Sequence, residues 1–533
     1  MSFKYPHITL QDLLTAAQKE SPNLPALHYR NLTWTYTDLT KKACVVSTGL
    51  RKIGFQKGDR VALMLPNIPE FVSTYFGILQ MGGIVVAINP SYTVTEAVQL
   101  LRISGAGCLI ALEAQRSQFQ KILGETDVKT IVVLSEDGTL DKEIEDRNGT
   151  DNEIVSYHDA FLEQTPNHVV FPLVKPEDPA IFQFSGGTTG TPKAAIGLHR
   201  NVIANVYQFR EWLKPADVEG KPILTAIPLF HVYGMVLAMA LGLLMRSPIV
   251  LIRSAGELPA IFDAIRQHRP AIFPCVPSLY AGLLRHPLLK DYSADLKSLQ
   301  LCISGSAPLP SSVKEAFEGL IGGYLVEGYG LSEAPTATHC NPVDGENKVG
   351  SIGLPLPGVE CRLVDLLTQR LDVSPGEQGE LLIRGPQVMA GYHDQPLETE
   401  NALKDGWLFT GDIAMVDASG YFYIKGRKKD LIKVGGLQVW PQEIEDVLLS
   451  YHGVKEAAVA GIPDEVLGEV PCAWITSEEG IHLDLISIMG HCRQNLARYK
   501  LPVKIRIVKK IPRSTVGKVL RREMIAYEIK NLE

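Results

Sequence analysis

The run from Ile181 to Lys193, IFQFSGGTTGTPK, carries chemistry in its residue types alone. An apolar strand enters a loop of small hydroxyl residues that ends in a cation. Gly186, Gly187 and Gly190 let the backbone approach an anion closely, Ser185, Thr188 and Thr189 add hydroxyl donors, and Lys193 adds positive charge. That combination suits a phosphate chain. Gly and Lys are not adjacent, so the loop is not of the Walker A type. A second small-residue loop, Ser304-Gly-Ser-Ala-Pro308, follows the apolar strand LQLCI and precedes a helix. Gly305, Ser306 and Ala307 therefore sit at a strand's carboxyl end, where ligands of α/β sheets gather.

These loops need elements to hold them. Apolar runs of strand length alternate with helical patterns: RVALMLPN, PEFVSTYFGILQMGG, IVVAINP, TVTEAVQLLRISG, CLIAL. The same rhythm returns at PIVLI, LPAIFDAIRQHRP and AIFPCVP, and again at SLQLCISGS and PSSVKEAFEGL. Such alternation predicts βαβ units and mainly parallel sheets. From about Cys361 the texture changes to short strands with Gly and Pro turns (CRLVD, GELLIRG, WLFTGDIAMVD, YFYIKGR), which predicts a small β-rich subdomain. After GRKKDLIK, the stretch VWPQEIEDVLLSYHGVKEAAVAGIP opens a fresh α+β unit. The expected fold is α/β: a large N-terminal domain of two α/β layers with the β-rich subdomain (1–426), a hinge (427–430), and a small α+β C-terminal domain (431–533).

With 533 residues the chain is too long for one core, and 45% hydrophobic with 21% charged residues is ordinary for a globular protein. A balance of 52 basic against 59 acidic residues, net charge −7, gives no global field for nucleic acid, so anion binding must be local. Eight cysteines lie far apart with no C-x-x-C pair, which predicts reduced, mostly buried thiols rather than a metal centre. The N-terminal segment MSFKYPHITLQDLL lacks an apolar signal core, so a cytoplasmic location is expected. Ile223 to Met245 is an uncharged run of 23 residues, but Pro228 and His231 interrupt it. It reads as a buried strand, a turn, and an apolar helix from about Tyr233 that ends before Arg246.

The phosphate loop resembles the signature of the adenylate-forming superfamily of acyl-CoA synthetases, luciferases and adenylation domains, and further motifs follow in order from about Thr9 to about Glu523. The resemblance implies that ATP and an acid bind the large domain while the small one rotates between half-reactions. In Gly328-Tyr-Gly-Leu-Ser-Glu333 it assigns Tyr329 to the adenine face, Ser332 to the α-phosphate and Glu333 to Mg2+. Mg2+ takes hard oxygen ligands and, on a triphosphate, needs few protein carboxylates. Ser332 stands where Thr is more usual, and Glu327 where such ligases often have Gln, which leaves the role of Glu327 open. Gly305, Ser306 and Ala307 should line the nucleotide and acid sites. Asp412, in WLFTGD, would accept hydrogen bonds from the ribose hydroxyls, and Arg427 would also contact the nucleotide.

By the same resemblance Lys518, in PRSTVGK, would bridge the substrate carboxylate and the α-phosphate, with Lys429 as the hinge residue. Gly435, Gly436 and Trp440 would form the pantetheine channel. His231, in PLFHVYG, stands near the place where amino-acid-activating domains have Asp, so the acid should lack an α-amine. With His231, the acyl pocket would comprise Tyr233, Gly234, Met235, Val276, Ser278, Gly328 and Leu331, an apolar set without a basic partner for a second carboxylate. The implied enzyme is an ATP- and Mg2+-dependent acid–CoA ligase that works through acyl-AMP, with a medium- or long-chain fatty acid as first choice. Its rivals are an aryl acid of the coumarate type, loading of a carrier protein, and luciferase-like oxidation. A non-enzymatic binding module is disfavoured because every catalytic position of the family is occupied. Partners are then small molecules: the acid, ATP and coenzyme A. A lipid substrate also allows peripheral membrane association, and nothing in the chain specifies an oligomer.

Overall fold

The computed structural model describes residues 3–135, 153–162, 171–185, 192–435, 437–514 and 518–530. Gly186, Gly187, Thr188, Thr189, Gly190 and Gly436, named above as site residues, lie outside them. Local signals explain the elements. Helix Val94–Ser104 starts where Thr93 and Glu96 cap one another's backbone and stops at Gly105, whose φ of +59° is left-handed. Helix Pro69–Met81 is apolar on nearly all sides because all its residues but Glu70 and Gln80 are buried.

The described residues divide into two compact units. One takes in the chain up to Glu360 together with Arg384–Lys404; the other takes in Cys361–Ile383 and the chain from Asp405. The β-rich segment thus groups with the C-terminal residues, and the sequence boundary at 426/427 falls inside the second unit.

Among the described residues the first unit holds a seven-stranded and a nine-stranded sheet. In the seven-stranded sheet, Glu153–Ser156, Thr130–Leu134, Cys108–Leu112, Arg60–Met64, Ile84–Ala87 and Pro179–Ser185 run parallel in that order. Lys193–Leu198 then closes the edge antiparallel to Pro179–Ser185. In the nine-stranded sheet, Leu301–Ser304 lies between Ile272–Cys275 and Tyr324–Leu331, all parallel, and Tyr324–Leu331 turns back into Ala334–Cys340. The expected βαβ rhythm is present in both. The uncharged run from Ile223 forms a strand over Ile223–Thr225 and helical turns from Val232 to Met245, with wider π-type turns over Met235–Ala240. Its helical residues are buried in the core, and Arg246 ends it at φ +57°. Among the described residues no helix is long and apolar enough to cross a membrane.

In the second unit, strands Glu360–Val364, Gln378–Arg384, Trp407–Val416 and Phe422–Arg427 make the small sheet that the turn-rich texture predicted. A separate sheet of Ile432–Val434, Leu437–Val439, Val454–Asp464, Gly468–Ser477 and Lys504–Ile507 carries helices Pro441–Leu449, Leu485–Asn495 and Arg521–Lys530 around its own apolar cores. None of the eight cysteines is in a disulfide, and six of them are buried.

Helices Tyr36–Lys52 and Pro69–Met81 cross at Gly77, where an added Cβ would stand 2.7 Å from Val46 and 2.8 Å from the Ala43 carbonyl oxygen. Backbone cannot yield as a side chain can. Gly77→Ala should therefore destabilise the first unit by about 1–3 kcal/mol, read as a lower unfolding midpoint in a thermal or denaturant scan.

Candidate active site

Strand pairing in the first unit places Ser185 directly opposite Lys193, so the two ends of the phosphate loop share one rung of a hairpin. The hairpin Tyr324–Leu331/Ala334–Cys340 carries Ser332 and Glu333 in its turn. Ser332 Oγ lies 3.5 Å from the Phe184 carbonyl oxygen, and the Glu333 carbonyl accepts the Met389 N–H at 2.8 Å. Ser185 and Lys193 from the seven-stranded sheet and Ser332 and Glu333 from a hairpin of the nine-stranded sheet, separated widely in sequence, are thus brought close together.

A residue that the sequence reading passed over joins them. The Tyr392 hydroxyl donates to Glu333 Oε1 at 2.8 Å, and the Lys193 ammonium stands over its ring at 5.1 Å. Lys193 also pairs with the Glu398 carboxylate. The Tyr392 phenol is pushed up by burial, then by the Glu333 charge, which keeps it a donor at neutral pH. The hard carboxylate oxygens of Glu333 fit Mg2+, which would need few protein ligands beside water and phosphate oxygens.

The residues expected on the acid side pack closely. The Tyr233 hydroxyl donates to the Ile303 carbonyl at 2.6 Å, and its ring lies 3.3 Å from where a Cβ on Gly305 would be. Gly305 is thereby held against Tyr233, while Ser306 adopts φ +71°. Helix Val232–Gly234 begins at His231, whose Nδ1 accepts the Tyr233 N–H at 3.2 Å. Met235 is fully buried, Val276 half-buried and Ser278 exposed. At Gly234 an added Cβ would meet the Pro228 carbonyl oxygen at 2.4 Å, so bulk there strikes backbone before it reaches open space. The Tyr329 ring meets His339 edge to face with centroids 5.9 Å apart, and Gly328 and Leu331 flank it, both half-buried. Ala307 is half-buried beside Ser306, ahead of the exposed Pro308 and the buried Leu309.

Glu327 is the second residue whose setting was not legible. It is buried on the strand beside Ser304, and Oε1 accepts the Leu309 N–H at 3.3 Å. Burial pushes its carboxyl up to about 8, only partly offset by that hydrogen bond and by Lys314.

In the second unit, Asp412 and Arg427 face one another across a hairpin rung, with Nε 2.8 Å from Oδ1. Asp412 is almost wholly buried. Lys428 pairs with the buried Glu380 at 2.7 Å. Lys429 lies between that pair and Asp430, whose carboxylate is 3.6 Å from Arg521. Arg521 also holds Glu445 at 2.7 Å and the Val459 carbonyl at 2.9 Å. Lys518 is exposed three residues earlier, its backbone N–H on Ser514 Oγ at 3.2 Å and its carbonyl on the Ser514 N–H at 2.8 Å. Gly435 has φ +56°, and Trp440 is buried against Gly426, where a Cβ would lie 3.2 Å from the indole.

Residues 14–393 match the family described as AMP-binding enzyme, and residues 443–518 match its C-terminal domain. A long-chain-fatty-acid–CoA ligase of Bacillus subtilis (strain 168) is 37% identical over 99% of this chain and 96% of its own length. A feruloyl-CoA synthase of an Amycolatopsis species is 32% identical over 95% of this chain and 96% of its own. The solved structure of ATP-bound MatB from Rhodopseudomonas palustris superposes with a TM-score of 0.88 at 26% identity, covering 99% of this chain and all of that one.

The folded protein keeps the Glu327 proton up to about pH 8, whereas an unfolded Glu loses it near 4.5, so folding takes up a proton between those values. Stability from this group is full below the lower value and falls as pH rises through the window, by up to about 1.4 kcal/mol per unit. Glu327→Gln should remove that slope, so unfolding midpoints of wild type and variant should diverge, in the variant's favour, as pH is raised.

Proposed function

The chain belongs to the AMP-binding enzyme family, and on that premise we propose that it ligates long-chain fatty acids to coenzyme A through an acyl-AMP intermediate. The observation that carries this reading is near-full-length similarity to a ligase of that specificity, joined to a site with every motif position filled. In the first step a carboxylate oxygen attacks the α-phosphorus of ATP, forming acyl-AMP and releasing pyrophosphate. In the second the coenzyme A thiol, losing its proton, attacks the acyl carbonyl and AMP departs.

The residues divide the work. Ser185, Lys193 and Ser332 hold phosphate oxygens, and Tyr329 with Gly305, Ser306 and Ala307 bounds the base. Glu333 would hold Mg2+, which supplies charge neutralisation on the triphosphate when bound. Asp412 and Arg427 take the ribose side. Lys518 neutralises charge between two anions as they meet, a case of fixed charge worth most in the transition state. Residues 427–430 form the hinge between a nucleotide-binding part (1–426) and a turning part (431–533), and Gly435, Gly436 and Trp440 border the thiol's path. His231, Tyr233, Gly234, Met235, Val276, Ser278, Gly328 and Leu331 surround the acyl chain, with Tyr233 and Gly234 acting through the packing just described. A cytoplasmic enzyme with small-molecule partners, brought to membranes by its lipid substrate alone, fits this reading.

A second reading, an aryl acid, is favoured by the resemblance to the feruloyl-CoA synthase. Thioester formation measured across acids of graded chain length and across cinnamate-type acids tests both. Highest kcat/KM on long chains is expected, and highest kcat/KM on the aryl acids would overturn the assignment. Lys518→Ala should slow acyl-AMP formation by roughly a hundred- to a thousand-fold and leave thioester formation from preformed acyl-AMP near normal. Lys429→Pro, with φ fixed, should do the reverse. Single-turnover assays of each half-reaction decide it, and equal loss of both steps in the Lys518 variant would count against a turning domain.

A further inference from the structure

We propose that Tyr392 is the positioning residue for the metal-binding carboxylate: its hydroxyl engages one oxygen of Glu333 and leaves the other as the ligand. The inference rests on the reading of Glu333 given above and adds a residue that no motif supplied.

Three observations carry it. First, the Tyr392 hydroxyl donates to Glu333 Oε1 at 2.8 Å across 59 residues of sequence, and the Ser185 hydroxyl faces the same phenol, easing its ionisation against the larger effect of burial. Tyr392 therefore touches both ends of the phosphate site. Second, the backbone leaves Tyr392 little freedom. It bridges Ala195 on the edge strand; its neighbours bond to that strand through Ile196 N–H to Gly391 O at 2.9 Å, Ala390 N–H to Ile196 O at 3.0 Å and His393 N–H to Ala194 O at 2.9 Å. Its own N–H goes to Thr399 Oγ1 at 2.8 Å, and Met389 ties the segment to the Glu333 carbonyl at 2.8 Å. Third, the Tyr392 ring lies beneath the Lys193 ammonium at 5.1 Å, so one side chain sets both the carboxylate and the cation that a metal–triphosphate must meet. A ligating carboxylate with one oxygen pinned presents its second in a fixed direction, and loss of such an outer partner typically weakens metal binding by about 10–100-fold.

The variant Tyr392→Phe removes the hydroxyl while keeping the ring, the bridge to Ala195 and every backbone bond. ATP binding should be measured by calorimetry at graded Mg2+ without the acid, beside Glu333→Gln, with unfolding midpoints of the ligand-free proteins. We expect Tyr392→Phe to need about 10–100-fold more Mg2+ for the same ATP affinity, Glu333→Gln to need at least as much, and acid preference to stay as in wild type. A shift in Glu333→Gln alone would overturn the role of Tyr392, as would a lower unfolding midpoint in Tyr392→Phe with the Mg2+ requirement unmoved. No shift in either variant would remove Glu333 from the metal site, and the inference with it.

Discussion

The antiparallel closure of the seven-stranded sheet is the constraint on which the proposed phosphate site depends. Six parallel strands deliver Ser185 to a carboxyl edge, and a crossover helix there would have sent the next residue far from it. Instead the next described strand pairs antiparallel with it, and the rung Ser185–Lys193 sets a hydroxyl residue opposite a lysine. The same edge strand offers its outer backbone groups to Ala390, Gly391 and His393. An exposed strand edge, often a liability, is here the seat for the segment that brings Tyr392 and Glu398 to the site.

The second unit achieves fixity by a different route, through ion pairs across short strands. Asp412 and Arg427 complete one another, and Lys428 satisfies Glu380, so two carboxylates buried in a small sheet are each matched by a cation. Arg521 does more: it joins Asp430, Glu445 and the Val459 carbonyl, three separate elements, from the first turn of the last helix. The backbone next to Lys429 and the backbone that follows Lys518 are therefore clamped to one body, although the two lysines are far apart in sequence.

What could be read from the sequence was whatever period and spacing encode. Strand and helix alternation, the buried character of Ile223 to Met245, the turn-rich sheet and the grouping of Gly with hydroxyl residues all follow from local pattern. Tyr392 has no such mark. It lies in GYHDQ, a polar stretch that reads as a loop, and its importance comes from a hairpin turn that carries Glu333, 59 residues before it. The pairing of Asp412 with Arg427 was hidden in the same way, since it depends on a bulged register rather than on residue type. Glu327 shows a third kind of gap: its identity was plain, but its protonation follows from burial, which only tertiary packing sets. The wider turns over Met235–Ala240 likewise carry no sequence signal, because every residue there is apolar whichever helical pitch is used.

The Lys193–Glu398 pair gives the proposed phosphate site an electrical character of its own. A lone ammonium would project a field into solvent and draw nucleotide from a distance, whereas a neutralised one projects little. With a net charge of −7 on the chain, an incoming polyanion meets mild repulsion at long range and a cation that must change partners at short range. Glu398 then acts as a placeholder anion. On the proposed reading, its displacement would make capture of nucleotide an exchange of one ion pair for another, so discrimination would rest on which anion can also satisfy the surrounding hydroxyls rather than on charge alone.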